Sequence, residues 1–254
     1  MAFLETHLFS EALNVAVTVN VLLPEPSQGI GLDGTQAQQP PRAMYLLHGY
    51  SDDHSIWMRR TSVERYCAKR NLAVFMPAVN HSFYANEVHG ERYWDYVSQE
   101  LPQMMHRMFR LDETPGSELV AGLSMGGYGA MKLALTHPER FAAAASFSGA
   151  VDVEALLRKR DPMLRNAMGS AQSFRGSEGD LFHLMAQNAQ AARKPRLFVA
   201  CGQEDFLYQQ HQKFIPELIR NGWDVTHEET PGYGHSWEYW DQKIAQFLTF
   251  APAD

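Results

Sequence analysis

Gly122, Ser124 and Gly126 stand in the G-x-S-x-G spacing within the run Val120 to Ala130. A strand-like apolar stretch, 118–123, leads into the serine and a helix-like stretch, 127–135, follows it. That context predicts a sharp strand-to-helix turn that strains the serine backbone and pushes its hydroxyl beyond the end of a sheet. The flanking glycines fit, because a Cβ at either would press on neighbouring backbone. A serine hydroxyl is a weak nucleophile near neutral pH and needs a histidine base held by a carboxylate. Such a set performs acyl transfer through a covalent intermediate.

The base and acid should follow the serine in the chain, acid first. Of the 11 histidines, His7 and His54 precede it, and His137 sits before Pro138 in the turn after the following helix. His183 falls in the segment 150–194, His211 in a helix-like stretch and His227 inside a strand pattern. His235 alone occupies a glycine-rich loop, Pro231-Gly232-Tyr233-Gly234-His235-Ser236-Trp237, between the last strand-like and last helix-like stretches. Asp205, after the preceding strand, is the leading acid, with Glu204 beside it as the rival. The developing oxyanion needs two backbone donors, expected from the N–H groups of Met125 and of Tyr50 in the loop His48-Gly49-Tyr50. His48 reads as a brace for that loop. Aromatic residues crowd the loops, and Trp57, Tyr128, Phe206 and Trp237 are candidates to line a substrate pocket.

These residues need a scaffold. Residues 14–23 alternate, with Val15, Val17, Val19 and Val21 on one face, and predict an antiparallel strand. Residues 24–41, rich in Pro, Gly, Gln and Ser, read as a long mobile loop. Short apolar runs at 43–47, 72–76, 118–123, 141–147 and 196–200 predict strands buried on both faces, and 223–229 a last strand. Helices are expected at 61–70, 93–109, 127–135, 215–220 and 237–250. A methionine-rich stripe on the second of these, Met104, Met105 and Met108, reads as core packing. The alternation implies an α/β fold with a mostly parallel central sheet covered by helices on both faces. Active sites in such sheets form beyond the carboxyl ends of the strands, where His48, Ser124, Asp205 and His235 all fall. Residues 150–194 break the rhythm and read as a small helical cap, so 1–254 is taken as a single domain with one insertion.

Composition bounds the partners. A 254-residue chain with 45% hydrophobic and 20% charged residues has room for one sizeable core. Its net charge of −7 and the absence of any basic block argue against nucleic acid. No apolar stretch is long enough for a membrane span, and the first residues lack the pattern of a signal peptide. The two cysteines, Cys67 and Cys201, form no disulfide framework or metal motif. A cytoplasmic protein is expected, with neither metal nor cofactor and with a small-molecule partner.

The chain resembles the esterase D-like branch of the α/β-hydrolases, which includes tributyrin, feruloyl and acetylxylan esterases and S-formylglutathione hydrolases. The markers run from residue 46 to the C-terminus: Leu47-His48-Gly49, Trp57, Asn71-Leu72, Met76-Pro77, the segment 93–102, Gly122 to Gly127, Cys201-Gly202 with Glu204 to Tyr208, and Gly234 to Trp237 with Trp240-Asp241. The resemblance implies the α/β-hydrolase fold, a triad of Ser124, Asp205 and His235, and hydrolysis of short-chain acyl esters such as acetyl, butyryl or feruloyl esters. The loop around His235 is closest to the tributyrin and feruloyl type. A thioesterase of the S-formylglutathione hydrolase type is the alternative. An acyltransferase and a non-catalytic binding protein on a hydrolase scaffold are further readings, although all three triad candidates are present. Related enzymes often form dimers or tetramers, and no apolar stripe in the sequence demands a homo-oligomer here.

Overall fold

The protein is described here by a computed structural model that covers residues 1–26, 28–35, 38–159 and 161–252. Ten strands follow one another along the chain: β1 (Ala2–Ser10), β2 (Val15–Leu23), β3 (Gln28–Gly29), β4 (Leu32–Asp33), β5 (Arg42–Leu47), β6 (Leu72–Pro77), β7 (Glu118–Leu123), β8 (Phe141–Phe147), β9 (Arg196–Gly202) and β10 (Val225–Thr230). Eight of them form one sheet in the order β1-β2-β6-β5-β7-β8-β9-β10. From β6 to β10 neighbouring strands run parallel, and β1 and β2 are antiparallel additions at one edge. The expected mostly parallel α/β-hydrolase sheet is therefore present.

Parallel strands covered on both faces read as continuous apolar runs, and every residue of β5 and of β6 is buried. Their side chains alternate between two cores. Tyr45, Leu47, Phe75 and Val120 face one core, and Met44, Leu46, Val74 and Ala121 face the other. Helices α1 (Ile56–Arg60), α2 (Val63–Cys67) and the C-terminal helix (Trp237–Phe250) pack the second core. The first core takes α3 (Tyr93–Asp95), α4 (Leu101–Met108), α5 (Met125–Thr136) and the helices that follow it as far as Tyr208–Arg220. Helix α5 is buried from Met125 to Leu135, as a helix with apolar residues on every side must be, and its one charged member, Lys132, donates to Tyr84 O and lies over the Trp94 ring.

Several expectations need correction. The first ten residues, read from sequence only for a missing leader, form the full-length edge strand β1 paired with β2. Phenylalanines on its solvent face blur the in/out alternation that would reveal it. The helix expected over 61–70 is only the short α2 (Val63–Cys67), and α1 (Ile56–Arg60), just before it, was not expected. The helix expected over 93–109 is interrupted by a π turn, Tyr96–Glu100. Pro102 has no N–H to give to the carbonyl four residues back, and the Arg140 guanidinium fills that place by donating to Ser98 O at 2.8 Å. Within the loop expected at 24–41 there is a small β3–β4 hairpin; residues 27, 36 and 37 lie outside those described. The expected cap segment holds four short helices, α6 (Val153–Leu157), α7 (Pro162–Met168), α8 (Ala171–Phe174) and α9 (Leu181–Gln187), followed by α10 (Tyr208–Arg220) and α11 (Trp237–Phe250). Among the described residues no helix is long and apolar enough to cross a membrane.

Candidate active site

Ser124 joins β7 to α5 with φ +53° and ψ −117°. A β-carbon residue rarely adopts that backbone region, and here the neighbours enforce it. Ser124 N–H donates to Phe147 O at 2.9 Å, and Ser124 O accepts from Tyr128 N at 3.1 Å and Ala150 N at 3.0 Å. A Cβ on Gly122 would strike the Gly126 carbonyl, and one on Gly126 would strike the carbonyls of Leu47 and His48. The two motif glycines thus let the turn close on itself and on the end of β5.

The loop after β5 lies against this turn. A Cβ placed on Gly49 would stand 3.7 Å from Ser124 Cβ. His48 is buried with both nitrogens engaged: Nδ1 lies 2.7 Å from Gly49 O, and Nε2 lies 3.0 Å from Val79 N, whose N–H it accepts. Burial holds its pKa down at about 4, against the raising effect of the Gly49 carbonyl. It is the loop brace that its position suggested. Among the described residues, the amides of Tyr50 and Met125 donate to no protein acceptor. They sit on the two sides of this contact, Tyr50 after Gly49 and Met125 at the first position of α5, where helix N–H groups lack intrahelical partners.

The acid and base loops are stitched together next to it. Gly202 has no side chain to obstruct the Tyr233 carbonyl, which would collide with a Cβ there. Gln203 N donates to Thr230 O at 3.0 Å and Glu204 N to Tyr233 O at 3.1 Å. This seam brings His235 Nδ1 to 2.8 Å from Asp205 Oδ2. The other carboxylate oxygen accepts from Leu207 N at 2.8 Å, an Asx-type turn. The Asp205 side chain is fully shielded, while His235 keeps 19% of its side chain exposed. Burial pushes the Asp205 carboxyl up, but the His235 bond and charge, the Leu207 amide and the Ser148 hydroxyl together hold it below the usual carboxylate range. Glu204 is exposed and takes no part in the pair. The Ser124 hydroxyl donates to neither ring nitrogen of His235 in this structure, which leaves Nε2 as the nitrogen without a partner among the described residues. Hydrogen bonds of this kind are commonly long until substrate binds.

Ser148 links the two halves, and sequence reasoning passed over it. It follows β8 as Asp205 follows β9, with φ +48°. Its N–H donates to Ala200 O at 2.7 Å, and its Oγ accepts from Trp240 Nε1 at 3.1 Å while hydrogen-bonding the Asp205 carboxylate. Trp240 also stands edge-on to the His235 ring, 4.8 Å between centroids. The one available signal was its place at a strand's carboxyl end. At the next residue, the Gly149 carbonyl lies 3.0 Å from His211 Nε2, and burial holds that imidazole at about 4 despite the carbonyl's opposing effect.

A serine on a strained elbow, two unengaged amides and a buried carboxylate–imidazole pair are the parts of a serine hydrolase. Residues 10–251 match the family described as "Putative esterase". The chain belongs to that esterase family. Fluorophosphonate-binding serine hydrolase F (FphF) of Staphylococcus aureus, in a substrate-bound structure, is 34% identical; 98% of this chain and 97% of that one superpose with a TM-score of 0.87. An S-formylglutathione hydrolase (FrmB) from the same organism is 35% identical, with 98% of each chain covered and a TM-score of 0.85. The acetyl esterase of Caldicellulosiruptor saccharolyticus is 28% identical over 96% of both chains. The chain is accordingly an ester hydrolase.

Two of the four pocket candidates of this esterase are misplaced by the sequence reading. Trp57 has no exposed surface: its Nε1 donates to Leu47 O at 3.1 Å and its ring meets Phe147 and Trp237 edge-on. Tyr128 is equally buried, its hydroxyl donating to Gly179 O at 2.7 Å. Both side chains have a polar tip that finds a backbone carbonyl indoors, and so both can serve as core. Phe206 is 72% exposed with its ring 4.6 Å from that of His235, and Trp237 is half-buried against Trp57 and Trp240. Tyr50 adds a third accessible ring, packed on His81 and Phe83.

Proposed function

We propose that the esterase hydrolyses small acyl esters with Ser124 as nucleophile, His235 as general base and acid, and Asp205 as its orienting carboxylate. Ser124 Oγ attacks the ester carbonyl while His235 Nε2 takes its proton. The carbonyl oxygen becomes an oxyanion that accepts hydrogen bonds from the N–H groups of Tyr50 and Met125. His235 passes the proton to the leaving alcohol as the carbon–oxygen bond breaks, and Ser124 is left acylated. Water then attacks the acyl-enzyme with the same proton relay, releasing the acid and restoring the hydroxyl. The Asp205 carboxylate keeps the Nδ1–H tautomer and stabilises the imidazolium formed in each half. The observation that carries this reading is the 2.8 Å bond between His235 Nδ1 and a fully shielded Asp205, on the loops beside the Ser124 elbow.

The acyl groups in this reading are short: acetyl, butyryl or feruloyl. Phe206 and Trp237 flank the imidazole as apolar walls for substrate, and the α6–α9 segment acts as a cap that sets substrate choice. A thioester reading is favoured by one observation, the 35% identity to a protein described as an S-formylglutathione hydrolase. The partner is a small-molecule ester, and the two free, buried cysteines suit a reducing, cytoplasmic setting. The test is kcat/KM for p-nitrophenyl acetate, butyrate and octanoate, methyl ferulate and S-formylglutathione, on wild type and Ser124→Ala. The proposal expects a preference for the shortest oxygen esters and loss of all turnover in the variant. Dominant turnover of S-formylglutathione would transfer the assignment to the thioester class, and persistence in Ser124→Ala would refute the nucleophile.

A further inference from the structure

The loop after β5 carries a carboxylate that the reaction does not use. Gly49 to Asp52 form a tight turn, closed by Asp52 N–H donating to Gly49 O at 3.2 Å. The turn folds the Asp52 side chain back over Gly49. A Cβ built on Gly49 would stand 2.7 Å from Asp52 Oδ2 and 3.7 Å from Ser124 Cβ. The carboxylate and the nucleophile are thus separated by no more than the room one methyl group would take. Asp52 is half-buried, and among the described residues it forms no ion pair. Burial raises its pKa, and the Gly49 N–H, Arg60 and His235 work against that rise, so the His235 imidazole feels this charge. On the other side of the loop, burial and then the charge of Asp161, at the start of α7, raise the Tyr50 hydroxyl.

A charge in this place has a definite effect. In the transition state the site holds an oxyanion and an imidazolium. Asp52 repels the first and attracts the second, and for a neutral ester the two effects largely cancel. What remains is the charge that the substrate itself brings near the scissile bond. We propose that Asp52 is a specificity-determining residue, which directs the esterase toward esters of cationic amino alcohols and away from esters with an anionic leaving group. The inference rests on the serine-esterase reading above. Phe206, exposed beside the His235 ring, adds aromatic surface that attracts a cation. The net charge of −7 acts in the same direction at longer range. The same carboxylate disfavours S-formylglutathione, whose leaving group carries two carboxylates against one ammonium.

Three acetyl esters of one size separate charge from shape: acetylcholine, the neutral neohexyl acetate and the anionic acetyl isethionate. A unit charge about 7 Å from Asp52, at an effective dielectric constant of about 40, should change kcat/KM by roughly five- to tenfold. The wild type should therefore span about 50-fold from the cation down to the anion. Asp52→Asn keeps the side-chain shape and an oxygen for the Gly49 N–H, and should shrink that span about fivefold or more. A merely structural role for Asp52 would alter all three esters alike. Asp53→Asn removes the same charge one residue on, from an exposed carboxylate held by Ser55 N at 2.9 Å and Ser55 Oγ at 2.6 Å. There the span should change by about twofold or less, because solvent screens exposed charges. A wild type that treats the three esters alike, or prefers the anion, overturns the proposal. So does a span that survives Asp52→Asn or falls equally in Asp53→Asn. If Asp52→Asn fails to fold, Asp52→Ser carries the same comparison. Absence of turnover for all three esters overturns the serine-esterase reading and this inference with it, whereas turnover blind to charge overturns this inference alone.

Discussion

Replacing Asp205 by Asn should reduce kcat by about 10³–10⁴ with little loss of stability. The size follows from the site. With His235 Nδ1 and Asp205 Oδ2 at 2.8 Å, the carboxylate and the transient imidazolium have charge centres roughly 4 Å apart. At an effective dielectric constant of about 20 their attraction is about 4 kcal/mol, or about 10³ in rate. The remainder is a matter of tautomers. Oδ1 is fixed by the Leu207 N–H at 2.8 Å, so an asparagine keeps its carbonyl oxygen there and turns its NH₂ toward His235. That amide donates to Nδ1, the ring proton moves to Nε2, and the base nitrogen is blocked. The assay is the steady-state and burst rate with p-nitrophenyl acetate for wild type, Asp205→Asn and Glu204→Gln, with thermal melts to confirm folding. An Asp205→Asn enzyme within tenfold of wild type, or a 10³ loss in Glu204→Gln instead, would refute the reasoning.

Three other outcomes follow from named contacts. Gly126→Ala forces a Cβ onto the Leu47 and His48 carbonyls, which cannot swing aside; stability should fall by about 1–3 kcal/mol and kcat by about 10² as the elbow shifts, read by urea titration and ester turnover. Ser148→Ala strands the buried Trp240 N–H and removes a hydrogen bond from Asp205; a loss of about 1–3 kcal/mol is expected, with kcat down about tenfold and KM unchanged. His48 and His211, whose imidazoles are held at about 4 by burial, resist protons that the unfolded chain accepts below about 6.5. Stability should therefore fall on acidification through that window, by about 2 kcal/mol per histidine between pH 7.5 and about pH 5. His211→Gln should halve that slope in urea titrations at the two pH values, and an unchanged slope would contradict the burial argument.

The parts of this molecule legible from sequence were those governed by local rules. Glu118–Leu123 and Trp237–Phe250 have the bounds expected from apolar runs and periodicity, and the elbow glycines sit where backbone clashes require them. The Asp205–His235 pairing was legible because both residues follow consecutive parallel strands, although the choice against Glu204 depended on a turn set by the Leu207 N–H. Long-range packing hid the rest. Nothing local marks Trp57 and Tyr128 as core, since their burial depends on carbonyls of Leu47 and Gly179 brought from elsewhere in the chain. Ser148 bridges Trp240 and Asp205 only after three strands have aligned. The π turn at Tyr96–Glu100 reflects Pro102 together with Arg140, which arrives from beyond α5.

Covalent labelling tests the central claim most directly. After reaction with a fluorophosphonate, intact-protein and peptide mass spectrometry should show one adduct per chain, located on Ser124, with a rate that collapses in His235→Ala and in Asp205→Asn. An adduct on another residue, or none on a folded and active enzyme, would contradict the account.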